Sequence, residues 1–472
     1  MLALLPSLSP TLRYRLKGLP MTRILVLFFI LSPLLAQTDS GALAAHSPQL
    51  KAGPMIGYAT MREVCLWFQG LSEGTLTLQF KAQGSSGPLS EMRATMRSEH
   101  RHIVKLVPTN LEPDTRYEYG VSVDGVALNF PYPLTFQTTQ NWQYRSEPKD
   151  FTIATGSCLY LNDPPDDRPG AAYGGDPNIL EKIAGKQPDL MLWLGDNIYY
   201  READFFSGER LAYRNEHTRS HASLQRLLAS CSQYAIWDDH DFGPNNSHRA
   251  YPMKEISLAL FELFWANPPM PRSEHRGIYF SFTWNDVDFF MLDNRFHRAP
   301  NELPGSNKDF LGPKQMEWLL DSLAASTATF KIIAMGNQAI NHFDPVEGFH
   351  HYGREQRQLL DFLSDNRIEG VLFLTGDRHF SELIRLDRPD HYPLFEFTCS
   401  PLSSSTYSSM TTEKENPMRV PGTLVHTERN FGLITITGPR KQRQLTLSCY
   451  DSSGKLLWQH VLDRGQLRYA KK

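Results

Sequence analysis

Five cysteines in 472 residues, none in a Cys-x-x-Cys spacing, leave neither a zinc ribbon nor a dithiol redox pair to read. Lysine and arginine form no run, the net charge is −3 and the sequence pI is near 6.6. No basic stripe is present to hold a nucleic-acid backbone, so nucleic acid is not expected as an obligate partner. Long apolar runs are missing as well. The one N-terminal run, residues 24–36, follows Arg23 and passes into small, polar residues. It is shorter than the about 20 residues that cross a bilayer and reads as the core of a signal peptide over residues 21–37. Residues 1–20 stand upstream of a better start at Met21 and read as an over-called beginning. With no lipid-attachment cysteine after the run, the expectation is an exported protein, periplasmic or secreted, monomeric and without a stable membrane anchor.

What is present is ordinary globular material, 41% hydrophobic and 21% charged, enough for a large core and two domains. Over residues 50–140 short alternating runs (EVCLWFQG, GTLTLQFKAQ, HIVKLVP, RYEYGVSVDG, PLTFQTT) predict a small all-β sandwich. Within it Leu111, Pro113, Thr115 and Tyr117 resemble the fibronectin type III corner, in which the tyrosine hydroxyl bonds back to the preceding backbone. Tyr117 is structural on this reading.

From residue 150 to about 465 the rhythm changes to α/β alternation. Asp176 and Pro177 predict a helix start, and further helices are expected over 221–231, over 253–265, and from Pro313 with Met316, Leu319, Leu320 and Leu323 on one face. Apolar strands end in polar residues again and again: Cys158; Asp196 with Tyr199; Asp238 to Asp241 in AIWDDHDFGPNN; Asn337 with Gln338; Asp377 with His379. Such ends converge on one crevice of an α/β sheet. Acids gathered there repel one another and lose hydration unless a cation offsets both costs. Thiolate and phenolate beside carboxylate and imidazole suit a trivalent or borderline transition ion, while carboxylate and amide oxygens suit Ca²⁺, Mg²⁺ or Mn²⁺. Two cations sharing a carboxylate serve phosphoester hydrolysis.

The motifs GSC, LGDNIYY, WDDHD followed by NN, LDNR, GNQ and GDRH stand in the order of the alkaline phosphatase D (PhoD-like) family of metallophosphoesterases, which the chain resembles over nearly all of its length beyond the signal segment. The resemblance implies a sandwich of two mixed sheets flanked by helices, and hydrolysis of phosphomonoesters or phosphodiesters with iron (Fe³⁺) and calcium (Ca²⁺); Mn, Mg and Zn are the other candidate ions. It implies Cys158, Asp196, Tyr199 and Asp377 as ligands of the higher-valent ion, with Asp196 bridging. Asp239, Asn245 or its neighbour Asn246, and His379 fall on the divalent side. His240 is left to protonate the leaving group or to stabilise the phosphate. Two departures stand out: DDHD where relatives often carry DDHE, and GSC in place of the wider superfamily's DxH, so a plain two-zinc or two-manganese site is not assumed.

Around this set, Arg295 in LDNR either forks onto phosphate or makes a buried pair with Asp293, and Asn337 and Gln338 line the site. Tyr200 competes with Tyr199 for the inward position, and Asp238 supports its neighbours from behind. His342, His350 and His351 read as solvated or substrate-edge residues. A non-catalytic adhesion protein with a decayed second domain is the alternative, but decay erodes ligands, and Asp196, Asp239, His240, Asp377 and His379 are all present. A metal-dependent hydrolase of another ester, such as a sulfate, uses the same ligands, and a substrate panel separates it.

Overall fold

The structure, a computed structural model, describes residues 49–269, 276–407 and 413–470. The signal-peptide and start readings, on residues 1–37, lie outside the described residues. Strands β1 (Leu50–Ala59), β2 (Val64–Gly70), β3 (Gly74–Ala82), β4 (Ser90–Met96), β5 (Ile103–Leu106), β6 (Arg116–Val123), β7 (Val126–Ala127) and β8 (Thr135–Gln137) form the N-terminal all-β region. One sheet runs β1-β2-β5 and the other β4-β3-β6-β7, with β8 paired to β6. Alternation in β6 turns Tyr117, Tyr119, Val121 and Val123 inward, and the Tyr117 hydroxyl accepts the Glu112 N–H at 2.8 Å, the bond its spacing predicts. β2 is buried along its whole length and β1 nearly so, because their sheet is covered on its far side by the α/β region. Tyr58 N–H donates to Ala266 O at 2.9 Å and Trp67 Nε1 to Leu263 O at 2.9 Å across that contact. Sequence patterning missed β1, which carries Pro54, and β4, whose outward positions are mostly polar.

The α/β region contains β9 (Phe151–Gly156), α1 (Ile179–Gly185), β10 (Leu190–Leu194), α2 (Gly208–Arg219), α3 (Ala222–Ser230), β11 (Ser232–Ile236), α4 (Asp239–Phe242), α5 (Lys254–Phe264), β12 (Phe280–Trp284) and β13 (Val287–Met291). It continues through α6 (Pro313–Ala325), β14 (Phe330–Met335), α7 (Gly353–Asp365), β15 (Val371–Thr375), β16 (Glu382–Leu386), β17 (Leu394–Thr398), β18 (Asn430–Thr437), β19 (Gln444–Asp451) and β20 (Leu456–Asp463). Two six-stranded sheets result, β11-β10-β9-β18-β19-β20 and β12-β13-β14-β15-β17-β16. Both are mixed: β9 to β11 and β13, β14, β15 and β17 are parallel, and antiparallel strands complete each sheet. Fully apolar strands such as β10 (LMLWL) are buried throughout, as parallel strands covered on both faces require.

Two helical expectations change in detail. α1 begins at Ile179 rather than at Pro177: Asp176 Oδ1 accepts the Asn178 N–H at 2.9 Å and so closes a turn ahead of the helix. α2 escaped sequence reading because its buried positions include Arg214, Asn215 and Arg219 and make no apolar stripe. In α6 the predicted face is buried at Met316, Leu319 and Leu323, with Leu320 at its half-buried edge.

Candidate metal centre

One local device builds the site. The residue two positions past the end of each parallel strand is polar: Cys158 after β9, Asp196 after β10, Asp238 after β11, Asp293 after β13, Asn337 after β14, Asp377 after β15 and Ser400 after β17. Register brings strand ends level, Leu194 opposite Ile236 and Met335 opposite Thr375. Glycines that precede these polar residues are required by crowding. A Cβ on Gly195, whose φ is +96°, would lie 2.6 Å from Asp238 Cβ, and one on Gly336 would lie 2.5 Å from Asp238 Cγ. Cys158, Asp196, Asp377 and His379 themselves occupy the left-handed region, with φ of 60°, 52°, 69° and 55°. Each non-glycine residue there costs about 1–3 kcal/mol, so four of the candidate ligands sit on strained backbone.

Two groups of ligand atoms share Asp196. Cys158, Asp196 and His379 place one ligand atom each within 4.8 Å of the others, and so do Asp196, Asp239 and His240. Asp196 uses one oxygen toward each group. Its Oδ2 faces Cys158 Sγ at 3.6 Å and accepts the Tyr199 hydroxyl at 3.0 Å, while Oδ1 accepts the His240 backbone N–H at 3.2 Å. A third group, Asp238, Asp239 and Asp377, joins at Asp239. The two halves of GDRH therefore divide differently from the family-based expectation. His379 falls with Cys158 and Asp196, and the Asp377 carboxylate with Asp238 and Asp239, although Asp377 also lies near enough to Cys158 to add to burial in raising its thiol's pKa.

The electrostatics are those of a cation site. Burial and then Asp239 and Cys158 push the Asp196 carboxyl well above its ordinary range; burial and then Glu347 and Asp238 do the same to Asp377. Burial pushes the Cys158 thiol up to about 12. Asp239 Oδ1 and His240 Nδ1 are buried without a hydrogen-bond partner, which is costly unless another ligand engages them. His379 Nδ1 lies 2.5 Å from Ser405 O. With its Nδ1–H given to that carbonyl, the Nε2 lone pair faces the Tyr199 hydroxyl at 3.4 Å, the arrangement that orients metal-binding imidazoles. Donor type, unpartnered atoms and concentrated acid all fit bound metal.

The acids of WDDHD have separate duties. Asp241 ties two motif loops together: Oδ1 accepts the N–H groups of Asn197 and Ile198 at 3.0 and 3.3 Å, and Oδ2 accepts that of Asp238 at 3.0 Å. Asp238 is fully buried and its Oδ1 receives Arg295 Nε at 2.5 Å and Asn294 Nδ2 at 2.7 Å. Only Asp239 keeps an oxygen free for the cluster. Its other oxygen accepts the Asn246 backbone N–H at 2.7 Å.

Several assignments are corrected by this geometry. Arg295 is completely buried, and its fork is held by Asp238, by Glu347 at 2.7 Å and by Asn337 at 3.2 Å. It has no face for phosphate, and its partner is Asp238 rather than Asp293, which accepts Trp237 Nε1 at 2.8 Å. Asn337 is equally enclosed: Oδ1 accepts from Asn294, Arg295 and Arg298, and Nδ2 donates to Glu347 at 3.0 Å. Both residues support the site from below rather than act in it. Asn245 is exposed, and the contact with Asp239 comes from the backbone of Asn246. Tyr199 takes the inward place, while the Tyr200 hydroxyl accepts from Asn215 at 3.0 Å. Gln338 turns to Glu382 at 2.8 Å, and His342 is exposed beside half-buried His350 and His351. All five cysteines are buried and free.

Sequence reasoning missed the serines of CSPLSSS. Ser400 Oγ donates to Cys158 Sγ at 3.1 Å and accepts the His379 N–H at 2.9 Å. The signal was available, since β17 ends two residues before Ser400 like the other strands, but hydroxyls draw less notice than acids. Glu347, which completes the cage around Arg295, comes from a loop that carries no pattern.

Comparison with known proteins agrees with this architecture. The model of the PhoD-like phosphatase family matches residues 170–447. Alkaline phosphatase D of Bacillus subtilis (strain 168) is 24% identical over 348 residues, covering 60% of this chain; the chain spans 57% of that relative's length. Among solved structures, PhoD superimposes with a TM-score of 0.70 at 18% identity, over 88% of this chain and 92% of that one. Purple acid phosphatase PPD1 from yellow lupin (Lupinus luteus) seeds gives 0.60 at 12% identity, over 88% and 75%. These two likenesses show the metallophosphoesterase fold, two mixed sheets with helices. With more than half of its length matched by the family model, the chain belongs to the PhoD-like phosphatase family.

Proposed function

We propose that this protein is a metal-dependent phosphoesterase acting on small phosphomonoesters or phosphodiesters, an alkaline phosphatase or phosphodiesterase. The observation that carries the reading is the position of Asp196 between two sets of different chemistry, Cys158 with His379 on one side and the Asp239 carboxylate, with the His240 ring beside it, on the other. Thiol, phenol and imidazole on one side favour Fe³⁺, and carboxylate on the other favours Ca²⁺, with Mn, Mg or Zn as substitutes. When bound, such a pair lowers the pKa of water, engages phosphate oxygens and neutralises the charge of an in-line displacement.

The chain's own groups have distinct tasks. Asp196 fixes the spacing of the two halves through its two oxygens. Ser400 and Tyr199 hydrogen-bond around the Cys158 thiol and Asp196. The His240 ring stacks on Tyr199 with centroids 4.2 Å apart, and its side chain is 20% exposed. Burial holds its pKa below the ordinary value, so the imidazole enters the reaction neutral and serves as an N–H donor to a phosphoryl oxygen, which favours phosphate stabilisation over leaving-group protonation.

The test is metal analysis of the purified protein with hydrolysis of paired mono- and diester chromogenic substrates, for the natural sequence and for Asp196→Asn. The expected outcome is two metal sites and turnover in the first, with metal depleted and turnover abolished in the second while the fold persists. Near-normal activity and full metal content in Asp196→Asn overturns the centre. Export with cleavage of residues 21–37 is proposed on the N-terminal sequence, and a cytoplasmic protein that retains those residues on N-terminal sequencing contradicts it. We also propose a monomer, checked by sedimentation.

A further inference from the structure

Beside the cluster stands an aromatic ring that hydrolysis leaves without a task. Tyr173 is 41% exposed. Its ring meets Tyr160 edge-on, with centroids 4.8 Å apart and planes at 66°, and lies 6.2 Å from the rings of Tyr199 and His379. The loop that carries it is pinned. Asn162 binds the N–H and the C=O of Gly174 at 3.0 and 2.9 Å, and the Gly175 N–H donates to Ser403 O at 2.6 Å. Neither glycine can be replaced without movement: a Cβ at 174 would lie 2.5 Å from Tyr160 O, and one at 175 would lie 2.3 Å from Arg429 Cζ. Tyr160 is in turn fixed by a hydroxyl bond to Asp167 at 2.8 Å and by the Arg201 guanidinium 3.8 Å from its ring centroid.

A large ring held at the edge of a polar site, partly in water and on a backbone with no freedom to withdraw, is a preorganised contact surface. We propose that Tyr173 is a specificity-determining residue, packing against the organic group esterified to the phosphate and favouring a flat, aromatic group over a small alkyl one. This rests on the phosphoesterase reading for the position of the phosphate. Because the ring is already in place, little ordering cost opposes the contact. The effect should appear in binding as well as in turnover.

The experiment measures calorimetric binding of phenylphosphonate and methylphosphonate to the metal-loaded full chain and to Tyr173→Ala and Tyr173→Phe, with kcat/KM for phenyl and methyl phosphate esters alongside. Metal content and melting temperature of each variant identify any general damage. We expect Tyr173→Ala to weaken phenylphosphonate binding about 3- to 10-fold, the worth of one aromatic contact, and methylphosphonate less than about twofold, with Tyr173→Phe close to the natural chain. Equal weakening of both probes, or of neither, overturns the proposal even where hydrolysis persists. If the phosphonates show the expected pattern and no ester is hydrolysed, the hydrolytic reading falls and the recognition role stands. If the natural chain binds neither phosphonate, both fall.

Discussion

Four consecutive residues, Asp238 to Asp241, show how a single turn separates acids that composition cannot tell apart. Asp241 bonds three backbone N–H groups, Asp238 neutralises Arg295, and Asp239 retains an unpartnered oxygen beside Asp196. Between them the His240 ring stacks on Tyr199. The division gives a test within adjacent residues. Asp239→Ala should deplete metal. His240→Ala should keep it and lower kcat about 10²–10³-fold, the usual loss for one donor to a developing charge, by equal factors for a nitrophenyl and an alkyl ester. Metal loss in His240→Ala would make the imidazole a ligand. A loss confined to the alkyl ester would instead make it the leaving group's acid.

At the scale of elements, the working unit is a strand, a tight glycine turn and a polar residue two positions on. What holds these units at fixed separations is a buried network beneath them, centred on Arg295 with Asp238 and Glu347. Arg295→Met removes the guanidinium that pairs with Asp238 and Glu347 and lies 3.8 Å from Asp239, and should cost about 3–5 kcal/mol of stability, measured by urea unfolding. A variant of unchanged stability with a raised KM would return Arg295 to phosphate binding. Glu396 on β17 braces the loop after β14 by accepting Ile340 N–H at 2.7 Å and Ala339 N–H at 3.0 Å. Burial pushes its carboxyl up to about 7 from 4.5. Its folded pKa being the higher one, the protonated form contributes stability in full below about pH 4.5, and that contribution is lost as pH rises through about 7. Glu396→Gln cannot titrate, so unfolding free energies at pH 5 and pH 8 should differ less in the variant than in the natural chain. Parallel pH profiles would place the proton elsewhere.

For the molecule as a whole, the N-terminal sheets are part of the support for the α/β layers. Gly57 on β1 passes so near the segment after α5 that a Cβ would lie 2.3 Å from Ala266 Cβ and 2.4 Å from Ala266 O. Gly57→Ala forces that contact apart and should cost about 1–3 kcal/mol, as overpacking does, seen as a lower melting temperature with metal content retained. An unchanged melting temperature would mean that the two parts meet loosely there. The chelated protein should also melt lower than the metal-loaded one, because ions that bind the folded state stabilise it by mass action.

Periodicity alone determined the split between a β-rich beginning and α/β layers, since alternation of two and of three to four residues follows directly from strand and helix geometry. The strand ends bearing Cys158, Asp196, Asp239, Asp377 and His379 were equally legible, because an acid or thiol after an apolar run is visible in one dimension. Which of these share an ion was not. His379 falls in the group of Cys158 and Asp377 in that of Asp239, the contact with Asp239 comes from the backbone of Asn246 rather than from Asn245, and Arg295 and Asn337 turned into enclosed supports. Those outcomes depend on left-handed turns and on partners 39 to 57 residues away for Arg298 with Asn337 and Arg295 with Asp238. Local sequence fixes which chemical groups reach the crevice; side-chain direction and the competition of buried charges for one another exist only once the two sheets have brought those groups together.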